Sequence, residues 1–193
     1  FFLPRGKVIV TTKGKTKQAS NTYKTLREPL DLDIPITVLV NGATASASEI
    51  LSGAFQDFDR AVIVGSRTFG KGLVQTTRPL PYGGVMKLTT SKYYIPSGRC
   101  VQAIDYKHRN EDGSVGTIPD SLTTVFHTAA GREVRDGGGV MPDIEVKQEK
   151  LPNILFYLVR DNLIFDYATQ YCLKHPSIPS PQEFKVTDAD YND

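Results

Sequence analysis

Apolar positions along the 193 residues change their period several times, and each change predicts an element. Lys7–Thr12 (KVIVTT) has strand composition, while Gly14 to Leu30 is polar and in part compatible with helix. Pro35–Val40 (PITVLV) is a short apolar run with β-branched residues, closed by Asn41-Gly42, which is the pattern of a fully buried strand. From Ser46 to Arg60, the residues Ile50, Leu51, Ala54, Phe55 and Phe58 recur at helical spacing. Ala61–Val64 (AVIV), ended by Gly65, reads as a second buried strand. Strand, helix and strand in this order predict a βαβ unit, and so an α/β core with a parallel sheet.

Beyond Gly65 the character changes towards a smaller β or mixed portion. Gly72–Leu80 and Val85–Ile95 flank Pro81-Tyr82-Gly83-Gly84 and predict a hairpin. Residues 107–121 are polar and rich in turn formers, which predicts a surface loop. Val125–Thr128 and Glu133–Arg135 flank Ala130-Gly131 and are expected to pair. Asp136-Gly137-Gly138-Gly139 predicts a turn or a close backbone approach, and Ile144–Val146 a further strand. Asn153–Lys174 alternates in helical fashion, and after Pro176 the polar, proline-containing chain gives no reason to expect structure. The expected division is a core over residues 1–150 and a helical segment with a polar tail over 151–193.

Composition is that of a globular protein, with 39% hydrophobic and 23% charged residues. No apolar run approaches the length of a transmembrane helix. The net charge of +2 gives no support to a nucleic-acid role, but its distribution is uneven. Residues 1–27 carry Arg5, Lys7, Lys13, Lys15, Lys17, Lys24 and Arg27 without an acid, so the remainder of the chain sums to −5. Such a basic arm is either a solvated strand and loop or a surface for anions. Cys100 and Cys172 lack CxxC spacing, and with only His108, His127 and His175 the chain offers no metal-ligand pattern, so neither a metal nor a cofactor is expected.

Two segments carry candidate chemistry. Ser46-Ala47-Ser48-Glu49 fits the S-x-x-E capping box at the start of the predicted helix. In that position Ser46 either caps the helix or points into the crevice beyond a parallel strand, where the Ala47 amide would face an oxyanion. Gly65-Ser66-Arg67-Thr68-Phe69-Gly70-Lys71 matches G-x-x-x-x-G-K, the opening of a P-loop. However, Gly72 stands where a magnesium-binding hydroxyl belongs, and Leu73–Thr77 is strand-like rather than helical. Lys71 is then a surface lysine in a glycine turn, or a general base. An ordinary lysine amine is protonated at neutral pH, so the second role needs desolvation, for which Phe69, Leu73 and Val74 are the nearby apolar walls.

The run VLVNGATASASEILSGAFQDFDRAVIVGSRTFGKGLVQT, followed by GGVMKLTTSKYYIPSGRCVQ and DGGGVMPDIEV, resembles the carboxyl-terminal processing (tail-specific) serine peptidases. The resemblance is continuous from about Val38 to Gln102, with a second block at Asp136–Val146, and departs mildly at Thr44, where many relatives have serine. It implies a crotonase-like layered core and a Ser-Lys dyad, with Ser46 as nucleophile, Lys71 as general base and Gln75 orienting the lysine. The Ala47 amide is implied as one oxyanion donor, and Asp57 as a supporting acid or a purely structural one. It further implies unfolded protein or peptide substrates, engaged near the Leu88–Tyr94 strand, and an exported, periplasmic or envelope location. In the family a DLRxNPGG-like strand carrying the other oxyanion donor, and before it a PDZ domain, precede the segment matched by Phe1-Phe2-Leu3-Pro4. The resemblance therefore implies an internal fragment of a longer protease, expected to cleave weakly or not at all in isolation. A non-catalytic peptide-binding domain, an enoyl-CoA hydratase-like enzyme and a P-loop NTPase are the competing readings.

Overall fold

A computed structural model of the chain describes residues 1–147 and 152–192. The chain divides into two compact units, Phe1–Gln148 and Glu149–Asp193. The boundary expected between residues 150 and 151 lies outside the described residues.

The first unit is mixed α/β. Strand β1 (Val8–Gly14) is followed by β2 (Asn21–Lys24), which returns antiparallel to it. The polar stretch expected to be partly helical thus holds only one 3₁₀ turn, Lys17–Ala19, and a strand. Thr22 and Tyr23 favour extended backbone, and the Ser20 hydroxyl accepts from the Gly14 N–H at 3.1 Å, closing the corner. Next come β3 (Thr37–Val40), helix α1 (Ala47–Asp57) and β4 (Val62–Gly65). Strands β3 and β4 pair in parallel, so the predicted βαβ unit is present. The hairpin follows as β5 (Leu73–Pro79) and β6 (Val85–Tyr94), and β6 also pairs with β1. The resulting four-stranded sheet has the order β2-β1-β6-β5.

The segment expected as a surface loop is instead largely a second hairpin. Strand β7 (Ile104–Arg109) pairs antiparallel with β8 (Val115–Thr117). The turn formers Asn110–Gly113 make only its tip, where Gly113 takes φ +80°. Strands β9 (Val125–His127) and β10 (Glu133–Arg135) pair as expected, and β11 (Ile144–Glu145) joins β4 in parallel. The parallel sheet therefore runs β11-β4-β3.

Two apolar clusters hold this unit together: Tyr93, Ile95, Val101 and Val140 in one, Val40, Ala61 and Ile63 in the other. Helix α1 lies close to the first because Gly53 has no side chain; a Cβ there would stand 2.6 Å from Ile95 Cδ1. The same region buries an ion pair, Arg99 Nη2 to Asp57 Oδ1 at 2.9 Å, with both side chains 1% exposed.

In the second unit the single predicted helix is two, α2 (Asn153–Arg160) and α3 (Leu163–Lys174). The break is at Asn162, whose left-handed backbone (φ 57°, ψ 17°) asparagine tolerates better than most residues. The tail is not structureless. Phe184 packs edge-on to Tyr171, and a short helix α4 (Asp188–Asn192) receives the Tyr167 hydroxyl on its Asp190 carbonyl at 2.6 Å. Aromatic residues at 167, 171 and 184 thus override the polar composition.

Replacing Asp57 by alanine leaves Arg99 charged, buried and without its counterion, and should lower stability by about 3–5 kcal/mol in urea unfolding. Replacing both residues together, Asp57→Leu with Arg99→Met, should recover most of that loss. Equal destabilisation by the single and the double change would contradict the buried-pair account.

Candidate functional site

The turn leaving β3 prepares the start of α1. The Asn41 carboxamide accepts from the Ala43 N–H at 2.9 Å, and the Thr44 N–H returns to the Asn41 carbonyl at 2.9 Å. Ser46 follows at φ 58° and ψ −119°, a backbone region that residues with a Cβ rarely occupy. Ser46 and Glu49 are the two members of the capping box, and the Glu49 carboxylate accepts from the Ser46 N–H at 2.9 Å. The Glu49 N–H donates to the Ser46 carbonyl at 2.9 Å. Among the described residues the Ala47 N–H, at the first helical position, has no backbone acceptor. It therefore presents a free donor at the positive end of α1.

Glu49 is the residue around which the site is built, and it is fully buried. Its Oε2 accepts from the Ser46 N–H and also from the Lys71 N–H, at 2.9 and 2.8 Å. Its Oε1 accepts from the Gly70 N–H at 2.7 Å and the Thr68 hydroxyl at 2.5 Å. Sharing one oxygen atom forces the backbones of residues 46 and 71 side by side. Tyr93, 3% exposed, ties the same two residues from their carbonyls. Its hydroxyl donates to the Lys71 carbonyl and stands 3.2 Å from that of Ser46. Burial, reinforced by the Glu49 charge, pushes the Tyr93 hydroxyl well above the usual tyrosine range, so it remains a donor.

The glycines around Lys71 serve close approach. At Gly70 (φ +85°) a Cβ would stand 2.3 Å from Ala103 Cβ, and at Gly72 one would stand 2.8 Å from the Gln102 nitrogen. The Gly70 carbonyl accepts from Ala103, and the Gly72 N–H donates to Gln102 Oε1. Because β5 follows directly, the G-x-x-x-x-G-K segment opens a strand and not a helix, and it lacks the helix N-terminus that a P-loop uses.

Lys71 and Gln75 line one cleft of about 210 Å³ with Phe69, Leu73, Gln102 and Tyr106. The cleft is open: Lys71, Gln75 and Phe69 are exposed, so Phe69 does not wall off the amine, whereas Leu73 and Val74 are half-buried. A β-bulge falls between Val74 and Gln75, and it leaves Gln75 opposite Thr89, with Gln75 Nε2 3.5 Å from the Thr89 hydroxyl.

Asp57 belongs elsewhere. It ends α1, about 16 Å along the axis from Ser46 at 1.5 Å per residue. Its carboxylate meets Arg99 and accepts from the Ser97 N–H at 2.9 Å. Burial pushes this carboxyl up, and the Arg99 guanidinium partly offsets it. His108 pairs with Asp105 at 2.6 Å, and His127 lies on β9 opposite Glu133. Among the described residues no group of His, Cys, Asp and Glu could hold a metal, and no helix is long and apolar enough to cross a membrane.

Glu49 and Tyr93 were not singled out from the sequence. Glu49 was legible there only as the far half of a capping box, and its acceptor role depends on contacts 19–22 residues away. Glu49→Gln keeps the shape but turns an amide N–H₂ towards N–H and O–H donors, and should cost about 2–3 kcal/mol in thermal or urea unfolding. Tyr93→Phe should cost nearer 1 kcal/mol, since one donor is lost and the Ser46 carbonyl keeps the Glu49 and Ile50 N–H groups. A Glu49→Gln protein as stable as the parent would remove the clamp from consideration.

Residues 1–120 match the family model described as peptidase family S41. Residues 154–193, for which the sequence offered no placeable motif, match a model described as the C-terminal helical domain of a probable PDZ-protease. A carboxy-terminal-processing protease of Bartonella bacilliformis is 47% identical over 103 residues, covering 53% of this chain and 24% of that protein. A probable CtpA-like serine protease of Staphylococcus aureus is 43% identical over 102 residues, covering 52% and 20%. The chain therefore spans about a quarter or less of these relatives. Among solved structures, a photosystem II D1 C-terminal processing protease aligns with a TM-score of 0.53 at 30% identity, over 78% of this chain and 30% of that one. With the family model covering well over half of its residues, the chain belongs to peptidase family S41.

Proposed function

We propose that this chain is the catalytic core of a serine endopeptidase that cleaves polypeptides near their carboxyl-terminal tails through a Ser-Lys dyad. The observation that carries the reading is the single Glu49 oxygen holding the Ser46 and Lys71 backbones together, with Ser46 in a strained backbone conformation at the start of its helix. The finer fold reading that accompanies it is a crotonase-like layering of the parallel sheet and α1. On the same reading the protein works in the periplasm or cell envelope, within a longer protein that carries a PDZ domain.

The chemistry follows from these positions. Ser46 Oγ attacks the peptide carbonyl carbon while its proton passes to the neutral Lys71 amine. The carbonyl oxygen, now an anion, accepts from the Ala47 N–H, an interaction worth about 3 kcal/mol in comparable sites. The tetrahedral carbon collapses to an ester on Ser46, and Lys71 returns the proton to the departing amine. Water then attacks the ester with Lys71 again as base, which releases the acid and restores the hydroxyl. Gln75, on the same cleft wall, orients the amine. Lys71 is exposed without substrate, so the polypeptide itself supplies the desolvation that favours its neutral form by covering the open cleft.

The exposed amine also favours one alternative, a non-catalytic peptide-binding module on the same fold. Labelling of the intact protein by a fluorophosphonate probe, with cleavage of an unfolded protein substrate measured in parallel, separates the two. Ser46→Ala should abolish labelling, and Lys71→Ala should lower turnover by at least ~10³-fold without rescue by Lys71→Arg. Gln75→Ala should lower it by roughly tenfold, mainly in kcat. Labelling that survives Ser46→Ala, or turnover indifferent to Lys71→Ala, would end the dyad reading.

A further inference from the structure

A groove of about 820 Å³ lies over strands β1, β6 and β5 and shares Leu73 with the cleft of Lys71. Lys13, Lys15, Arg78 and Lys92 line it, and no Asp or Glu does. Among the described residues none of the four has an ion-pair partner, although Lys13 Nζ lies 4.7 Å from the centre of the Tyr94 ring. Lys13 stands directly opposite Lys92 in the β1–β6 ladder. Like charges facing each other across a ladder are destabilising, so the arrangement costs stability unless an anion relieves it. The basic arm legible in the sequence contributes only half of this set. Arg78 and Lys92 arrive from the β5–β6 hairpin.

We infer that this groove is an exosite for an acidic stretch of the polypeptide that the site processes. The nature of the occupant rests on the peptidase reading above. Three features favour an extended acidic chain. The groove follows β6 from Leu88 to Tyr94, a length of about 20 Å that matches some six extended residues. Its floor mixes Leu88 and the Tyr94 ring with threonine hydroxyls, which suits acidic residues interspersed with apolar ones. A concave floor of this kind does not conform to a flat bilayer. Finally, Leu73 lines both this groove and the cleft of Lys71 and Gln75, and it pairs with Lys92 in the β5–β6 ladder. A chain crossing at Leu73 would therefore reach both. Four uncompensated positive charges raise the local concentration of anionic segments, most strongly at low ionic strength.

The test uses the intact protein and two fluorescein-labelled 14-residue peptides, one alternating Glu and Leu, the other with Gln replacing every Glu. By fluorescence anisotropy at low salt the acidic peptide should bind at least ~10-fold tighter, and the gap should close as salt rises. Lys15→Gln combined with Arg78→Gln, two exposed positions away from the proposed dyad, should remove most of that preference. It should leave turnover of an uncharged unfolded substrate unchanged. Equal affinity for both peptides, or a preference indifferent to the double variant, overturns the exosite. So does binding of phosphatidylglycerol vesicles that needs Lys15 and Arg78 when the acidic peptide does not, since that assigns the groove to a membrane. The readout is separate from the chemistry: acidic-peptide binding that persists in Ser46→Ala upholds the groove even if the parent protein proves inert as a peptidase.

Discussion

A single buried carboxylate sets the geometry of the first unit's functional end. Glu49 takes no solvent contact and receives four donors, two on each oxygen, from residues 46, 68, 70 and 71. A buried carboxylate without such donors would be costly, so the folded state has to bring the turns at residues 46 and 68–71 together. Thr68 extends the arrangement by accepting from the Val140 N–H at 2.7 Å, which fastens the segment after β10 to the same centre. Core stability and site geometry are therefore one requirement here, and a change that loosens either loosens both.

The proposed nucleophile and base are unequal in how they are held. Ser46 is fixed through its own backbone in a disfavoured conformation, a local strain of order 1–3 kcal/mol that the surrounding bonds must sustain. Lys71 is fixed only through its backbone, by Glu49 and Tyr93, while its long side chain extends into an open cleft. The resting site is thus preorganised up to the Cα of the lysine and unfinished beyond it. On the proposed function, the amine completes its role as base when a polypeptide covers the cleft.

Much of the architecture was legible from hydrophobic period alone. The βαβ unit, the β5–β6 hairpin and the β9–β10 pair follow from runs such as PITVLV and AVIV and from the turn formers between them. The misreadings share a cause. At 14–30 and 107–121 polar composition concealed strands, because these hairpins expose most of their residues and carry little apolar alternation. In the second unit one helical period concealed a break at Asn162, where the periodicity continues across a left-handed residue. The groups proposed to react were legible, through the Ser46 and Lys71 segments and the family they resemble. What holds those groups was not legible, because the bonds of Glu49 and Tyr93 join segments 22 to 47 residues apart.

Strand β6 serves two masters by alternation. Beyond the bulge at Thr90 its inward positions include Tyr93, which grips the turns of residues 46 and 71, and its outward positions include Lys92 and Tyr94 on the basic floor. Because neighbouring side chains on a strand face opposite ways, gaining or losing one amino acid between that bulge and Tyr93 would invert both sets at once. The phenolic anchor would swing to water, and an ammonium group would be driven into the interior. Evolution can therefore retune these last residues of β6 by substitution, but not by length.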